Sequence, residues 1–280
     1  MTFAPAAIDL ACRMPTKLKL RLRHAIAGLT GRHIRYAGNY RAWGEAAAAA
    51  SGYAAPDILE RVATAAAQVA RGEAAYERDS VVFTERQYRW PLLSALLRAA
   101  FDNDRKSLAV LDFGGSLGST YQQCRPFFPS ALDVHWFVVE QEHFVRRGND
   151  EFETDRLHFC HSAAEACARA RPDIVLLSSV LQYIERPHDL LPEFATTDAR
   201  YLFIDRTPLS NADLDFFTIQ HVPTAIYKAS YACRIFSRLR LVEQLERDWE
   251  IVAEFPSDDG WAIASGTCFR YSGMLLRCRR

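Results

Sequence analysis

Paired cysteines are missing from this sequence of 280 residues. Its seven cysteines (Cys12, Cys124, Cys160, Cys167, Cys233, Cys268 and Cys278) are odd in number and scattered, with no C-x-x-C. That excludes a disulfide framework and a cysteine-rich zinc site, and it suits a reducing compartment. Net charge is missing too. Thirty-four basic residues balance thirty-four acidic ones, which gives no support for a nucleic-acid partner. Long apolar runs are absent: the longest charge-free stretches, 113–124 and 216–227, are 12 residues each, too short to cross a bilayer. Arg and Lys follow the first apolar stretch rather than precede it, the wrong order for a secretory signal. A soluble, cytoplasmic protein is the expectation. Ser-His-Asp hydrolysis is not expected. No histidine is placed with carboxylates at ligand spacing, so no metal site is expected.

What is present is a globular composition, 49% hydrophobic and 12% aromatic. A chain of this length can bury roughly three quarters of its unfolded surface. From Leu10 to Gly44 there is no acidic residue, while eight Arg and Lys fall between 13 and 41. Leu18, Leu22, Ile26 and Leu29 recur there at helical spacing. This basic stretch reads as a dock on an anionic membrane surface or lipid-linked substrate, or as a solvated helix. Helices are predicted over Pro56–Arg71, with Gly72 as C-cap, and over Tyr88–Phe101, where Leu92, Leu93, Leu96, Leu97 and Ala100 share a face. A helical N-terminal cap is therefore expected over 1–105.

From residue 107 short apolar runs alternate with helix-length segments: 108–113, 134–139, 157–160, 173–178 and 201–205. Five alternations predict an α/β fold over 106–280, a doubly wound, mostly parallel Rossmann-like sheet. Runs at 249–255 and 273–278 predict a closing antiparallel strand pair. The aromatic segment 206–248 is too long for a connection and is expected to be a lid.

The motif richest in chemistry is Leu111-Asp112-Phe113-Gly114-Gly115-Ser116-Leu117-Gly118, directly after the first strand run. Doubly wound sheets place their ligand loop there, and glycines let a ligand approach the backbone. The spacing is not that of a P-loop and departs from strict G-x-G-x-x-G. Val138-Val139-Glu140 puts a carboxylate at the end of the next strand run, where it suits the ribose hydroxyls of an adenosine cofactor. The same carboxylate could simply cap the following helix.

With these features the chain resembles class I S-adenosylmethionine-dependent methyltransferases. More narrowly, it resembles a methyltransferase family encoded in bacterial surface-polysaccharide gene clusters. The stretches that carry the resemblance are Trp43-Gly44-Glu45-Ala46, Tyr76-Glu77-Arg78-Asp79-Ser80, LDFGGSLGSTY at 111–121 and WFVVEQEHFVRRG at 136–148. They continue as LLSSVLQYIERP at 176–187, FIDRTP at 203–208 and TIQHVPTAIYKASY at 218–231. Ala232 stands where proline is expected. The resemblance implies S-adenosylmethionine as cofactor, with Asp112, Gly114, Gly115, Ser116 and Gly118 at its methionine end and Glu140 on the ribose. Ser162 stands where many such enzymes hold the adenine with an acid. Ser178, Ser179 and Gln182 would face cofactor and acceptor, although Ser179 could equally cap a helix.

Methyl transfer to a hydroxyl or amine needs alignment and a proton acceptor. The candidates at strand ends and in the lid are Asp205, Arg206, His221, Tyr183 and Tyr227, with His188 expected in a surface loop. Arg206 offers a fork for a carboxylate or phosphate, and His221 titrates near neutrality. The acceptor is expected between the 204–208 corner and Gln220-His221, and is read as a small or lipid-linked sugar. An internal Asp205–Arg206 ion pair is the structural alternative. Two rival functions remain: an NAD(P)-dependent sugar oxidoreductase, which lacks the expected Y-x-x-x-K, and a non-enzymatic glycan-assembly protein.

Overall fold

The computed structural model describes residues 34–52, 56–102, 106–223, 226 and 229–280. The described chain opens with strand β1 (Arg35–Tyr40), helices α1 (Trp43–Ala49) and α2 (Pro56–Ala70), strands β2 (Tyr76–Arg78) and β3 (Val81–Phe83), and helix α3 (Trp90–Phe101). Alternation follows: β4 (Ser107–Phe113), α4 (Ser119–Cys124), β5 (Asp133–Val139), α5 (Glu142–Glu151), β6 (Leu157–Cys160), α6 (Ala163–Arg169), β7 (Ile174–Ser178), α7 (Pro187–Ala195) and β8 (Tyr201–Ser210). The chain closes with β9 (Phe216–His221), β10 (Ser230–Ser237), α8 (Arg238–Leu245), β11 (Trp249–Ala264) and β12 (Thr267–Cys278).

Strands β6, β5, β4, β7 and β8 lie side by side in that order, all parallel. Their side chains alternate between two apolar layers. Leu108, Val110, Val134, Trp136, Val138, Ile174 and Leu176 face α2 and α3, whose Ile58, Val62, Leu92, Leu93 and Leu96 cover them. Leu111, Phe137, Val139, Val175 and Leu177 face the opposite layer with Leu191 and Phe194 of α7 and Leu241 and Leu245 of α8. Both faces are dry, which is why these strands read as continuous apolar runs. Each such side chain, fully buried, contributes about 1.5–3 kcal/mol. The fold is a doubly wound, Rossmann-like α/β sheet with an antiparallel pair at its edge. That pair is longer than expected: β11 and β12 run as one hairpin, and β12 pairs with the whole of β8.

Three further expectations differ. The segment 206–248 is regular structure: residues 206–210 extend β8, then β9, β10 and α8 follow. Beyond the end of β7, β10 pairs with β8 at Leu209 and Ser210 and carries β9 and β1 onto the sheet. Aromatic and β-branched content there is strand chemistry, but a segment covered on both sides shows no clean period of two. Of the basic helix expected through 13–41, residues 13–33 lie outside the described residues, while Arg35–Tyr40 pairs antiparallel with β9. Tertiary pairing overrides local spacing. Leu97 is 42% exposed rather than on the buried face of α3.

Candidate functional site

A cavity of ≈740 Å³ opens at the carboxyl ends of β4, β5 and β7. Gly114, Gly115 and Ser116 form part of its wall, because β4 ends there and the chain must turn sharply into α4. A β-carbon on Gly115 would fall 2.6 Å from the Asp112 carboxyl. A side chain there would have to displace Asp112, and as glycines in the lining Gly114 and Gly115 present bare backbone to the cavity. Asp112 is buried and accepts a hydrogen bond from Trp136 Nε1 at 3.0 Å. Burial pushes its carboxyl up to about 6, against the pull of Trp136 and Arg89.

Glu140 directly follows β5, beside this loop. Its Oε1 accepts from the Ser116 N–H at 3.2 Å and its Oε2 from the Gln141 N–H at 2.9 Å. Burial raises its carboxyl above the usual range, and these two N–H groups hold it back. The carboxylate thus ties the glycine loop to the start of α5 while still lining the cavity.

The far end of the cavity is built by elements distant in sequence. Tyr36 of β1 and Gln220 of β9 stand opposite each other in register and both face inward. Gln220 Oε1 accepts from Tyr183 at 2.9 Å and from Tyr36 at 3.3 Å, and Tyr36 is also hydrogen-bonded to Tyr271. Burial raises all three phenols above their ordinary values, so they donate hydrogen bonds rather than act as bases at neutral pH. Trp43 and Trp261 add ring surface.

Charged groups sit between the two ends. Arg89, which the sequence did not single out, donates to Asp205 at 2.5 Å and to Ser178 Oγ at 2.8 Å. Arg206 pairs with Asp259 at 2.9 Å and reaches Asp79 at 3.5 Å. The anticipated internal Asp205–Arg206 ion pair is thus replaced by separate partners for each side chain, the Arg206 N–H alone donating to Asp205. Glu77 of β2 is buried in the cavity wall. It accepts from the Ser80 N–H at 3.2 Å and from Ser119 Oγ. Burial, with Asp79 nearby, pushes its carboxyl up to about 7.

Of the sequence candidates, Asp112, Gly114, Gly115, Ser116, Glu140, Ser178, Ser179, Tyr183 and Arg206 line this cavity. Others do not. Alternation along β9 turns His221 to the face opposite Gln220, beside Arg35, and burial lowers its proton affinity. Asp205 is buried and taken by Arg89. Gly118 packs against Leu157 at the start of α4. Ser162 is exposed and caps α6 by accepting from Glu165 N. Gln182 is fully buried, donating to Ser179 Oγ and Arg206 O. His188 lies in α7, half-buried and bonded to Asp215, rather than in a surface loop. Tyr227 lies outside the described residues. Among the described residues no helix is long and apolar enough to cross a membrane.

No family model matches this chain, and no curated protein matches it. Among solved structures, the N-terminal domain of EvdMO1, crystallised in the presence of SAH and D-fucose, is similar over 73% of this chain and 90% of that one, with 18% identity and a TM-score of 0.44. The cyclase SpnF is similar over 79% and 93%, with 13% identity and a TM-score of 0.45. An S-adenosylmethionine-dependent methyltransferase from Clostridium acetobutylicum ATCC 824 is similar over 68% and 92%, with 11% identity and a TM-score of 0.44. Likenesses this distant say nothing of reaction or substrate.

Proposed function

We propose that this chain transfers a methyl group from S-adenosylmethionine to a hydroxyl or amine of a sugar-type metabolite, of the kind used in surface-glycan assembly. The observation that carries the reading is the Ser116 N–H to Glu140 contact. It joins the bare glycine loop after β4 and a carboxylate at the end of β5 on one cavity wall, at the carboxyl edge of a parallel sheet. The donor set fits the cofactor. Each Glu140 oxygen keeps a lone pair for a ribose hydroxyl, and Gly115 leaves the loop open to close approach. When bound, the cofactor supplies a methyl group activated on a sulfonium.

The protein's own part is to position the acceptor and receive its proton. Tyr36, Tyr183, Gln220 and Tyr271 form a hydroxyl and amide rim, and Trp43 and Trp261 supply flat apolar faces, a combination suited to a sugar ring. Where the acceptor atom must lose a proton, Glu77 is a cavity carboxyl with its proton affinity near neutrality. Titration calorimetry with S-adenosylmethionine, S-adenosylhomocysteine and NAD tests the reading. Binding of the first two and not the third is expected, and Glu140→Gln weakens it several-fold through loss of a charge-assisted hydrogen bond. NAD binding alone favours the oxidoreductase, and no binding at all favours the non-enzymatic protein. Equal affinity in Glu140→Gln reduces Glu140 to a helix cap.

A further inference from the structure

Among the described residues, three guanidinium groups line the cavity, and two of them have a carboxylate at ion-pair distance. Arg89 holds Asp205 at 2.5 Å, and Arg206 holds Asp259 at 2.9 Å. Arg78 of β2 is half-buried in the same wall, and among the described residues no carboxylate pairs with it. Its Nη2 donates to the neutral amide of Gln87 at 2.8 Å, and its guanidinium lies 5.9 Å from the Tyr76 ring. Gln87 is itself fixed: its side-chain oxygen accepts from Tyr76 at 2.9 Å, and its carbonyl accepts from Gln123 of α4, also at 2.9 Å. The arginine is therefore held in place against the helix that follows the glycine loop. Burial and then Arg206 depress its proton affinity; Asp259, beyond ion-pair distance, offsets part of this, and Arg89 adds a smaller push downward. A fixed, half-buried guanidinium among two others is unfavourable unless an anion meets it.

The geometry points to Arg78 as the anion anchor of this cavity, receiving a carboxylate of a bound ligand. Two ligands of a methyltransferase site can carry that group: the amino-acid tail of the cofactor, or an acidic sugar acceptor. The inference thus rests on the proposed function, and its test separates the two sources. Calorimetry compares wild type with Arg78→Met and Arg78→Lys against pairs of probes that differ by a carboxylate. The first pair is S-adenosylhomocysteine and 5′-methylthioadenosine, which lacks the whole amino-acid tail. The second is D-glucuronate and D-glucose, added to the S-adenosylhomocysteine-loaded protein. Arg78→Met is expected to weaken the anionic member of at least one pair about tenfold or more, leaving its neutral partner unchanged. Arg78→Lys should restore part of the loss. Loss confined to S-adenosylhomocysteine assigns the carboxylate to the cofactor; loss confined to glucuronate assigns it to the acceptor. Intact methylthioadenosine binding shows that the variant is folded. Equal weakening within each pair makes Arg78 a structural prop and overturns the inference. So does undiminished S-adenosylhomocysteine affinity in a protein whose wild type does not prefer glucuronate to glucose. A wild type that binds neither adenosine probe refutes the proposed function itself.

Discussion

Gly115 leaves no space for even one methyl group, since a β-carbon there would lie 2.6 Å from Asp112 Cγ and Oδ2. Gly115→Ala must push the carboxyl off Trp136 Nε1, 3.0 Å away, and deform the loop that meets the ligand. S-adenosylhomocysteine affinity should fall about tenfold or more by calorimetry; unchanged affinity would take the loop out of the site. Glu77 makes a claim about pH. Burial lifts its carboxyl from 4.5 to about 7, so between those values the native state binds more protons than the unfolded chain. Stability therefore falls as pH rises through that window, by about 3 kcal/mol in all, and Glu77 changes it no further above the window. Asp112, lifted from 3.8 to about 6, acts in the same direction. Glu77→Gln cannot ionise. Its melting temperature should decline less between pH 5 and 7.5 than that of wild type, and identical slopes would refute a protonated Glu77.

Among the elements, the junction of β10, α7 and α8 depends on Asp215. Its carboxylate accepts from the Ser237 N–H at 2.8 Å, from Arg234 at 3.0 Å and from His188 Nε2 at 2.8 Å. Arg234 is 9% exposed, so Asp215→Ala strands a buried cation. A loss of about 3–5 kcal/mol is expected in urea unfolding, with S-adenosylhomocysteine binding retained in the folded fraction. Asp215 raises the proton affinity of His188 above its usual 6.5. The histidine's share is therefore complete below that value and is lost as pH rises through the raised one. The difference between wild type and variant should narrow above neutral pH; a constant difference would mean that His188 adds nothing. This junction was invisible in the sequence, whereas β4 to β7 were legible almost to the residue. Buried parallel strands are unbroken apolar runs. Strands β1, β9 and β10 are defined by one another, and Arg35–Tyr40 becomes a strand only because β9 offers it an edge. The site divides the same way. Gly114–Ser116 and Glu140 follow adjacent strands and could be read locally. The Arg89–Asp205 and Arg206–Asp259 pairs join residues 116 and 53 positions apart, which no spacing rule reaches.

For the molecule as a whole, the decisive feature is that three bends from distant parts of the chain meet over one cavity. The β2–β3 turn brings Asp79, the bend in β8 brings Arg206, and the irregular part of β11 brings Asp259. Asp79 and Arg206 both adopt positive φ, at 52°, a conformation that costs a residue with a side chain about 1–3 kcal/mol. Burial works against the Arg206 charge, and the two carboxylates more than restore it. The pairings hold the bends together, and with them the wall between solvent and cavity. Arg206→Gln keeps the side-chain length but releases both carboxylates. S-adenosylhomocysteine should then enter and leave several times faster in stopped-flow displacement, with its equilibrium affinity little changed. Raising salt should speed exchange in wild type, because Asp79 is 59% exposed and its pairing is screened. It should do so much less in the variant, where the Arg206 pairings are already gone. Identical exchange rates in the two proteins would mean that ligands pass by another route, and that the Arg206 cluster braces the bends without gating the cavity.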